Sequence, residues 1–194
     1  MAYSVSNVTV GKPGVGGCTY RADSGTSAPT NATGSLGTAF KNMGYISDAG
    51  IKKNTSRSTE KIKAYGGDTV ATPQTEFEDT FTMAFLEVLN VDTIKAVHGG
   101  TNVSGALATG LTINVNSKEL PEGVWVIDQV LNGNNKSRIV IPHGKITEVG
   151  EVTYVDGEAV SYEVTITALP DSSGNTHYEY LKTESGTSGG SGTS

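Results

Sequence analysis

The chain has 194 residues with 14 Lys and Arg against 20 Asp and Glu, and its net charge of -6 disfavours a protein that binds nucleic acid by neutralising phosphates. Cys18 is the only cysteine, which excludes an intrachain disulfide and a four-thiolate metal site within one chain. A length near that of one domain, with 36% hydrophobic residues, predicts a single core. The longest apolar run, Phe81 to Leu89, contains Glu87, and the N-terminal MAYSVSNVTV lacks a basic start and an apolar stretch. We therefore expect neither a membrane span nor a secretion leader. The single cysteine suits a protein that resides in a reducing cytoplasm.

The segment Gly11 to Gly17 is predicted to be irregular. Its sequence, GKPGVGG, superficially resembles a phosphate-binding loop, but Lys12 comes too early and no Lys-Ser or Lys-Thr pair follows the last glycine. Cys18 then opens a predicted strand, where a small structural residue is a commoner role than a nucleophile because no motif places a histidine beside it. We therefore predict a flexible turn that leads into a strand.

The segment Asp48 to Gly67 is long and polar, and we predict irregular structure for it, with a candidate loop that extends to Ala71. Five cations are crowded here, and the only acid among them is Glu60; they are Lys52, Lys53, Arg57, Lys61 and Lys63. In an unselected monomer such a run is most often a solvated loop. In a self-assembling protein, the basic loop of one subunit would instead meet an acidic surface on the next.

The segment Thr75 to Val88 alternates apolar and polar residues with the period of a half-buried strand. The predicted buried face consists of Phe77, Phe81, Met83 and Phe85, and Asp79 is the exception on the same side of the strand. The opposite face consists of Glu76, Glu78, Thr80 and Thr82. Surface acids on strands are far commoner than the paired carboxylates of a glycosidase, and no cluster of sugar-stacking aromatics accompanies Glu76 and Glu78. Helical spacing could instead link Phe85, Val88 and Leu89, which leaves the end of this strand open by several residues.

One helix is predicted, in the sequence NVDTIKAVHG. Asn90 or Asp92 is its candidate N-cap, and Gly99 is its stop. Its short apolar set consists of Val91, Ile94 and Val97. The segment that follows, Gly99 to Gly110, is predicted to be irregular.

Two hairpins are predicted in the second half of the chain. In the first, GVWVIDQVL and KSRIVIP flank NGNN, whose Asn132-Gly133 step suits a tight turn, and Trp125 packs in the core. In the second, KITEVGEVTYV and EAVSYEVTITAL are joined through Asp156 and Gly157, a pair that readily takes positive φ angles. The buried face of its last strand consists of Val160, Tyr162, Val164, Ile166 and Ala168.

The acids of the chain form two groups that lie apart from the basic run. The first group is Glu76, Glu78, Asp79, Glu87 and Asp92, and the second is Glu148, Glu151, Asp156, Glu158 and Glu163. Charge of both signs therefore occupies separate parts of the sequence.

No motif predicts catalysis, a cofactor or a metal site. His98, His143 and His177 stand in three different predicted elements, without His-x-His or His-x-x-x-His spacing. His98 lies near a helix C-terminus, where cations are favoured, and His143 follows a proline in a turn. We therefore predict a protein with no enzymatic activity, no cofactor and no metal.

Several motifs follow one another in order along most of the chain. They are GYISDAG from Gly44 to Gly50, STEKIKAYGGD from Ser58 to Asp68, an alternating strand that ends in FLEV, and a short helix that closes at VHG. In order and extent, over roughly Val15 to Lys182, this pattern resembles the phage tail tube family, particularly the major tail proteins of long-tailed viruses of actinobacteria. The upstream ADSGTSAPTNATGSLGTAF and the strands from GVWVIDQVL to ALPD are also similar to that family.

The resemblance implies a mainly β fold, a β-sandwich or partial barrel with one short flanking α-helix and a long stacking loop. It implies a tail tube domain over residues 1–182, and the composition of residues 183–194 predicts a flexible Gly/Ser/Thr tail. Copies would contribute strands to a shared inner barrel in a six-membered ring, and rings would stack into the tube of a virion tail assembled in the host cytoplasm. The implied partners are other copies, the tape measure protein and other tail proteins, while viral DNA passes through without specific binding.

Two hypotheses concern the site residues. The first is that residues 48–71 form a stacking loop, mobile in the free subunit and ordered when the next ring docks through Lys52, Lys53, Arg57, Lys61 and Lys63. The second is that Glu76 and Glu78 face the lumen or the neighbouring subunit, since an acidic wall lets DNA slide past.

Two alternative classes stay open. One is another β-rich virion component, either a tail terminator or a head decoration protein, which fold alone does not separate from a tube subunit. The other is a carbohydrate-binding or adhesive β-sandwich. That class normally carries a secretion signal and exposed aromatics, whereas aromatics make up only 7% of this chain, mostly in core-like positions.

Overall fold

The computed structural model of the chain describes residues 3, 5–14 and 16–183. Over these residues the fold is mainly β with one α-helix, and the predicted fold class is confirmed. The predicted flexible tail falls, apart from Thr183, outside the described residues.

Nine strands of the described chain form one antiparallel sheet in the order β3-β2-β10-β11-β12-β7-β4, with β1 added to β10 and β13 added to β11. Their bounds are β1 Lys12–Pro13, β2 Thr19–Asp23, β3 Lys41–Asn42, β4 Lys52–Thr59, β7 Gln74–Phe85, β10 Gly123–Val130, β11 Lys136–Val149, β12 Tyr162–Leu169 and β13 Tyr178–Lys182. Two small hairpins lie outside this sheet, and they consist of β5 Ile62–Lys63 with β6 Thr69–Ala71, and of β8 Val103–Ala106 with β9 Gly110–Ile113.

The sheet is so strongly curled that strands several positions apart in the sheet come into contact. β2 and β7 are four positions apart, which in a flat sheet would separate them by roughly 19 Å at ~4.8 Å per strand. In the folded chain, however, the Thr19 hydroxyl on β2 lies 3.8 Å from the Met83 sulfur on β7. The space inside the curl holds one core, in which Trp125 stacks on Phe85 with ring centroids 6.5 Å apart. The prediction that Trp125 packs in the core is confirmed.

The predicted helix is confirmed as α1, Val91–His98, with Asn90 as its N-cap. The Asn90 side chain accepts hydrogen bonds from the backbone N–H groups of Asp92 and Thr93. Thr93 in turn donates to the Met43 carbonyl at 2.9 Å, and Ala96 and Val97 of the helix pack in the core. Short 3-10 turns cover Val5–Asn7, Gly100–Asn102 and Asn132–Asn134. In the described part of the chain, no helix is long and apolar enough to cross a membrane.

The first predicted hairpin is confirmed, whereas the second is wrong as a tight turn. β10 pairs with β11 around a turn in which Gly133 and Asn134 have φ angles of 70° and 62°. The ladder between β11 and β12 ends near the Gly150 N–H, which donates to the Glu163 carbonyl at 2.8 Å. Residues 150–161 form a loop, although Asp156 and Gly157 do make a turn within it. The loop leaves the β11–β12 ladder and packs Val152 against the core instead of extending the two strands.

Three segments predicted as irregular contain strands. Asp48 to Gly67 includes β4 and β5, Gly99 to Gly110 includes β8, and Gly11 to Gly17 includes the two-residue β1. These strands have at least one side, and often both, exposed to water, so no alternation of apolar and polar residues marks them. The strand predicted over Thr75 to Val88 is confirmed as β7, which ends at Phe85.

Candidate assembly interface

Residues 52–78 are the longest run of exposed residues in the described chain, and we term them the arm. Residues 52–54 lie at the edge of the sheet, and the rest of the arm forms a two-stranded ribbon that projects from it. β12 pairs with β7 only as far as Thr80, whereas β4 pairs with β7 as far as Gln74. Beyond Thr80, β7 therefore has β4 as its only strand partner among the described residues, and the ribbon leaves the sheet. Backbone hydrogen bonds continue the ribbon toward its tip, from Glu60 N–H to the Pro73 carbonyl at 3.0 Å and from Ala64 N–H to the Asp68 carbonyl at 2.7 Å.

Every residue of the arm is exposed. Phe77 was predicted on the buried face of its strand, and this is wrong because it lies beyond the core with 40% of its surface exposed. The Arg57 guanidinium lies over the Phe77 ring, 4.5 Å from its centroid, and donates to Gln74 Oε1 at 3.2 Å. The arm thus holds its shape by backbone pairing and local side-chain contacts, without a core of its own.

The five cations predicted as contact residues all lie on the arm but differ in their surroundings. Lys53 forms an ion pair with Glu179 on β13, and the Arg57 guanidinium stacks on the Phe77 ring. Lys52, Lys61 and Lys63 make no ion pair or side-chain hydrogen bond with any described residue. These three ammonium groups are therefore free to meet charges on another molecule.

A buried carboxylate fixes the root of the arm. Asp79 is 1% exposed and accepts hydrogen bonds from Thr55 Oγ1 on β4 at 2.9 Å, Thr176 Oγ1 at 2.7 Å and His177 Nδ1 at 2.5 Å. The first of these groups belongs to the arm, and the other two lead into β13. A buried charge with three donors is well satisfied, so Asp79 ties the arm to the last strand at the point where the two diverge.

A second carboxylate continues the network at the protein surface. Glu179 accepts a hydrogen bond from Lys53 Nζ, and its carboxylate lies 3.2 Å from His177 Nε2. The hydrogen bond from Lys53, together with the contact with His177, lowers the pKa of the Glu179 carboxyl although partial burial opposes the shift. The sequence marked Lys53 as a contact cation and set Asp79 apart from the predicted buried face, which is wrong because Asp79 is buried. Nothing in the sequence links either residue to His177, which lies 98 residues from Asp79.

Glu76 and Glu78 lie on the side of the arm that continues the uncovered face of the sheet. Below them this face carries hydroxyl groups, and we term it the hydroxyl face: Thr80, Thr82, Thr147, Thr165 and Thr167. Thr82 and Thr165 approach within 3.3 Å, and Thr147 and Thr167 within 2.8 Å. Neither glutamate forms an ion pair with a described residue. The arm and the hydroxyl face together make a polar wall with free acids at one end, and the free Lys52 lies on the same face opposite Thr82.

The outer edge of β4 has no strand partner in the described chain. β4 is eight residues long and ends the sheet, so a row of its backbone N–H and C=O groups points away from β7. Long exposed edges are places where a second chain can add a strand. The arm therefore offers both side chains and backbone for contact with another molecule.

Cys18 and His98, which the sequence analysis considered for reactivity or metal binding, both have structural roles in the fold. Cys18 is buried, and this burial raises the pKa of its thiol, so the reactive thiolate is disfavoured. His98 packs edge-on against Tyr162 with ring centroids 5.4 Å apart, and burial lowers the pKa of its imidazole. Among the described residues, no group of three or more His, Cys, Asp or Glu side chains could hold a metal ion.

The family model described as "phage tail tube protein" matches residues 1–190, nearly the whole chain. No curated protein matches the chain.

Proposed function

The chain belongs to the phage tail tube protein family, and from this premise we propose that copies of it close into six-membered rings that stack as the conduit for the viral genome. The protein is thus a structural component of a phage virion tail. The observation that carries the proposal of self-assembly is the arm, which exposes an eight-residue strand edge and three unpaired lysines. A single head-to-tail contact that repeats with one rotation closes a ring, and it gives each exposed edge a partner.

The arm is the proposed contact between subunits of successive rings. In this role it would be mobile in the free subunit and would become ordered on docking, with Lys52, Lys61 and Lys63 as its charged contacts. The two engaged cations, Lys53 and Arg57, would set the shape of the arm.

The hydroxyl face, together with Glu76 and Glu78, is proposed to line the channel. Apart from Lys52, which lies opposite Thr82, this wall offers a DNA polyanion hydroxyl groups and free carboxylates, to which it binds little, so the genome would slide past. A tube structure with both glutamates on its outer surface would contradict this proposal.

The partners that follow from the proposal are other copies, the tape measure protein and other tail proteins, with assembly in the cytoplasm of a host that would be an actinobacterium. A tail tube family is structural, and we propose that this chain has no catalytic activity. The family match favours the tube over a tail terminator, a head decoration protein and a carbohydrate-binding sandwich.

Charge reversal on the arm tests the proposed stacking contact. Lys61→Glu with Lys63→Glu should leave the subunit folded, because both side chains are exposed, and should reduce the yield of tubes seen by electron microscopy. Lys136→Glu with Lys182→Glu is a control with the same change in charge; these lysines face each other on β11 and β13. Normal tubes from the arm variant would contradict the contact.

A further inference from the structure

The arm and one particular loop lie at opposite ends of the same two strands. β7 and β12 are antiparallel, with Phe85 opposite Tyr162 at one end and Thr80 opposite Thr167 at the other. The arm extends β7 past the Thr80 end. The loop of residues 150–161 leads into Tyr162 and so lies at the Phe85 end. The tip of an arm therefore points away from the loop of its own subunit.

This loop, termed the acidic loop, combines charge with exposed apolar surface. It carries Glu151, Asp156 and Glu158, and no Lys, Arg or His occurs anywhere between residues 146 and 176. None of the three acids forms an ion pair with a described residue. Tyr154 and Val155 stand beside them with 78% and 50% of their surfaces exposed.

The tip of the arm has the complementary character. Residues 52–71 contain five Lys and Arg against two acids, a net charge of +3 in a chain whose total is -6. Ile62, Tyr65 and Val70 near the tip are also largely exposed. Basic residues with apolar neighbours thus occur at one end of the strands, and acidic residues with apolar neighbours occur at the other.

We propose that the tip of the arm of one copy docks on the acidic loop of the next copy, with Lys61 and Lys63 meeting Glu151 and Glu158, and Tyr65 packing near Tyr154. This inference rests on the proposed tube function and names the surface that receives the arm. Because the two surfaces lie at opposite ends of the subunit, the contact is heterologous and repeats along one direction. Exposed apolar groups on both sides lose their contact with water in the docked state.

A charge exchange between the two surfaces tests the contact. The first variant reverses the arm through Lys61→Glu and Lys63→Glu, and the second reverses the loop through Glu151→Lys and Glu158→Lys. A third variant carries all four changes. The matched control combines Glu151→Lys and Glu158→Lys with Lys136→Glu and Lys182→Glu, which has the same net charge as the third variant. The critical concentration for tube formation is measured by sedimentation and electron microscopy, and circular dichroism checks that each subunit is folded.

We expect each double reversal to raise the critical concentration by about tenfold, since attraction at two pairs becomes repulsion. The fourfold exchange should bring it back to within about threefold of the unmodified chain, and the matched control should not. Normal assembly of the loop variant, or a fourfold exchange no better than either double reversal, would overturn the docking site while the tube function stands. Absence of tubes from the unmodified chain would overturn the tube function and this contact with it.

Discussion

Replacement of Asp79 by Ala tests whether a buried carboxylate holds the arm to the sheet. The side chain of Asp79 is fully buried, and it is the shared acceptor for Thr55, Thr176 and His177. Alanine leaves these three groups without their acceptor and leaves a space between β4, β7 and the start of β13. The loss should therefore affect the stability of the fold and the orientation of the arm together.

The size of the effect follows from these contacts. A hydrogen bond to a charged group contributes roughly 1.5–3 kcal/mol, but the three bonds share one carboxylate and their contributions overlap. A buried donor left without its acceptor costs roughly 1–3 kcal/mol, and for three donors with overlapping contributions we expect the free energy of unfolding to fall by about 3–5 kcal/mol. At roughly 2–4 °C per kcal/mol for a domain of this size, Tm should fall by about 6–20 °C.

Thermal and urea unfolding followed by circular dichroism measures this loss. Glu78→Ala is the matched control, because it removes a carboxylate from the neighbouring position of the same strand where the side chain is exposed; its effect should stay within about 0.5 kcal/mol. A loss below about 1 kcal/mol for Asp79→Ala would refute the role assigned to this carboxylate. The surviving Asp79→Ala subunits should also form fewer tubes.

Three further predictions concern the core, the helix and acid sensitivity. Gly144→Ala would place a Cβ atom 2.5 Å from Trp125 Cδ1, so the free energy of unfolding should fall by about 1–3 kcal/mol; an unchanged urea midpoint would contradict the packing. Asn90→Ala removes the cap of α1 and should cost about 1 kcal/mol, whereas Asn90→Ser should restore most of it in the same assay. Because Lys53 lowers the pKa of Glu179 below its ordinary 4.5, their contact stabilises the fold above that pH and is lost as pH falls through the lowered pKa. The stability difference from Lys53→Met should shrink on acidification, and a constant difference down to about pH 3 would contradict the contact.

Gly100→Ala is the control for the core substitution. A Cβ atom at Gly100 meets nothing within 4 Å, so this variant should unfold like the unmodified chain. A loss equal to that of Gly144→Ala would mean that the Trp125 contact is not the cause.

The elements that the sequence predicted correctly have one face on the core. Phe81, Met83 and Phe85 alternate with polar residues because β7 is half-buried there, and the Asn90 cap with Gly99 marks both ends of α1. β4, in contrast, has the sequence KKNTSRST and is exposed along its whole length, so burial imposes no pattern on it. Its strand conformation depends on pairing with β7, which is long-range information that local periodicity does not carry.

The sequence identified the cluster of cations at the candidate site, but it did not predict which other residues they contact. The crowding of five cations drew attention to this segment, yet only the structure separates the engaged Lys53 and Arg57 from the free Lys52, Lys61 and Lys63. The contact between Asp79 and His177 joins residues 98 positions apart, and nothing local links them. The opposite placement of the arm and the acidic loop likewise follows from the antiparallel register of β7 and β12.

Electron microscopy of the purified, concentrated chain tests the central claim most directly. If the exposed edge of β4 and the free cations of the arm exist to join identical copies, the protein should form hollow tubes of uniform diameter with sixfold rings along their length. A chain that stays monomeric at every concentration, with its arm unpaired, would contradict the account.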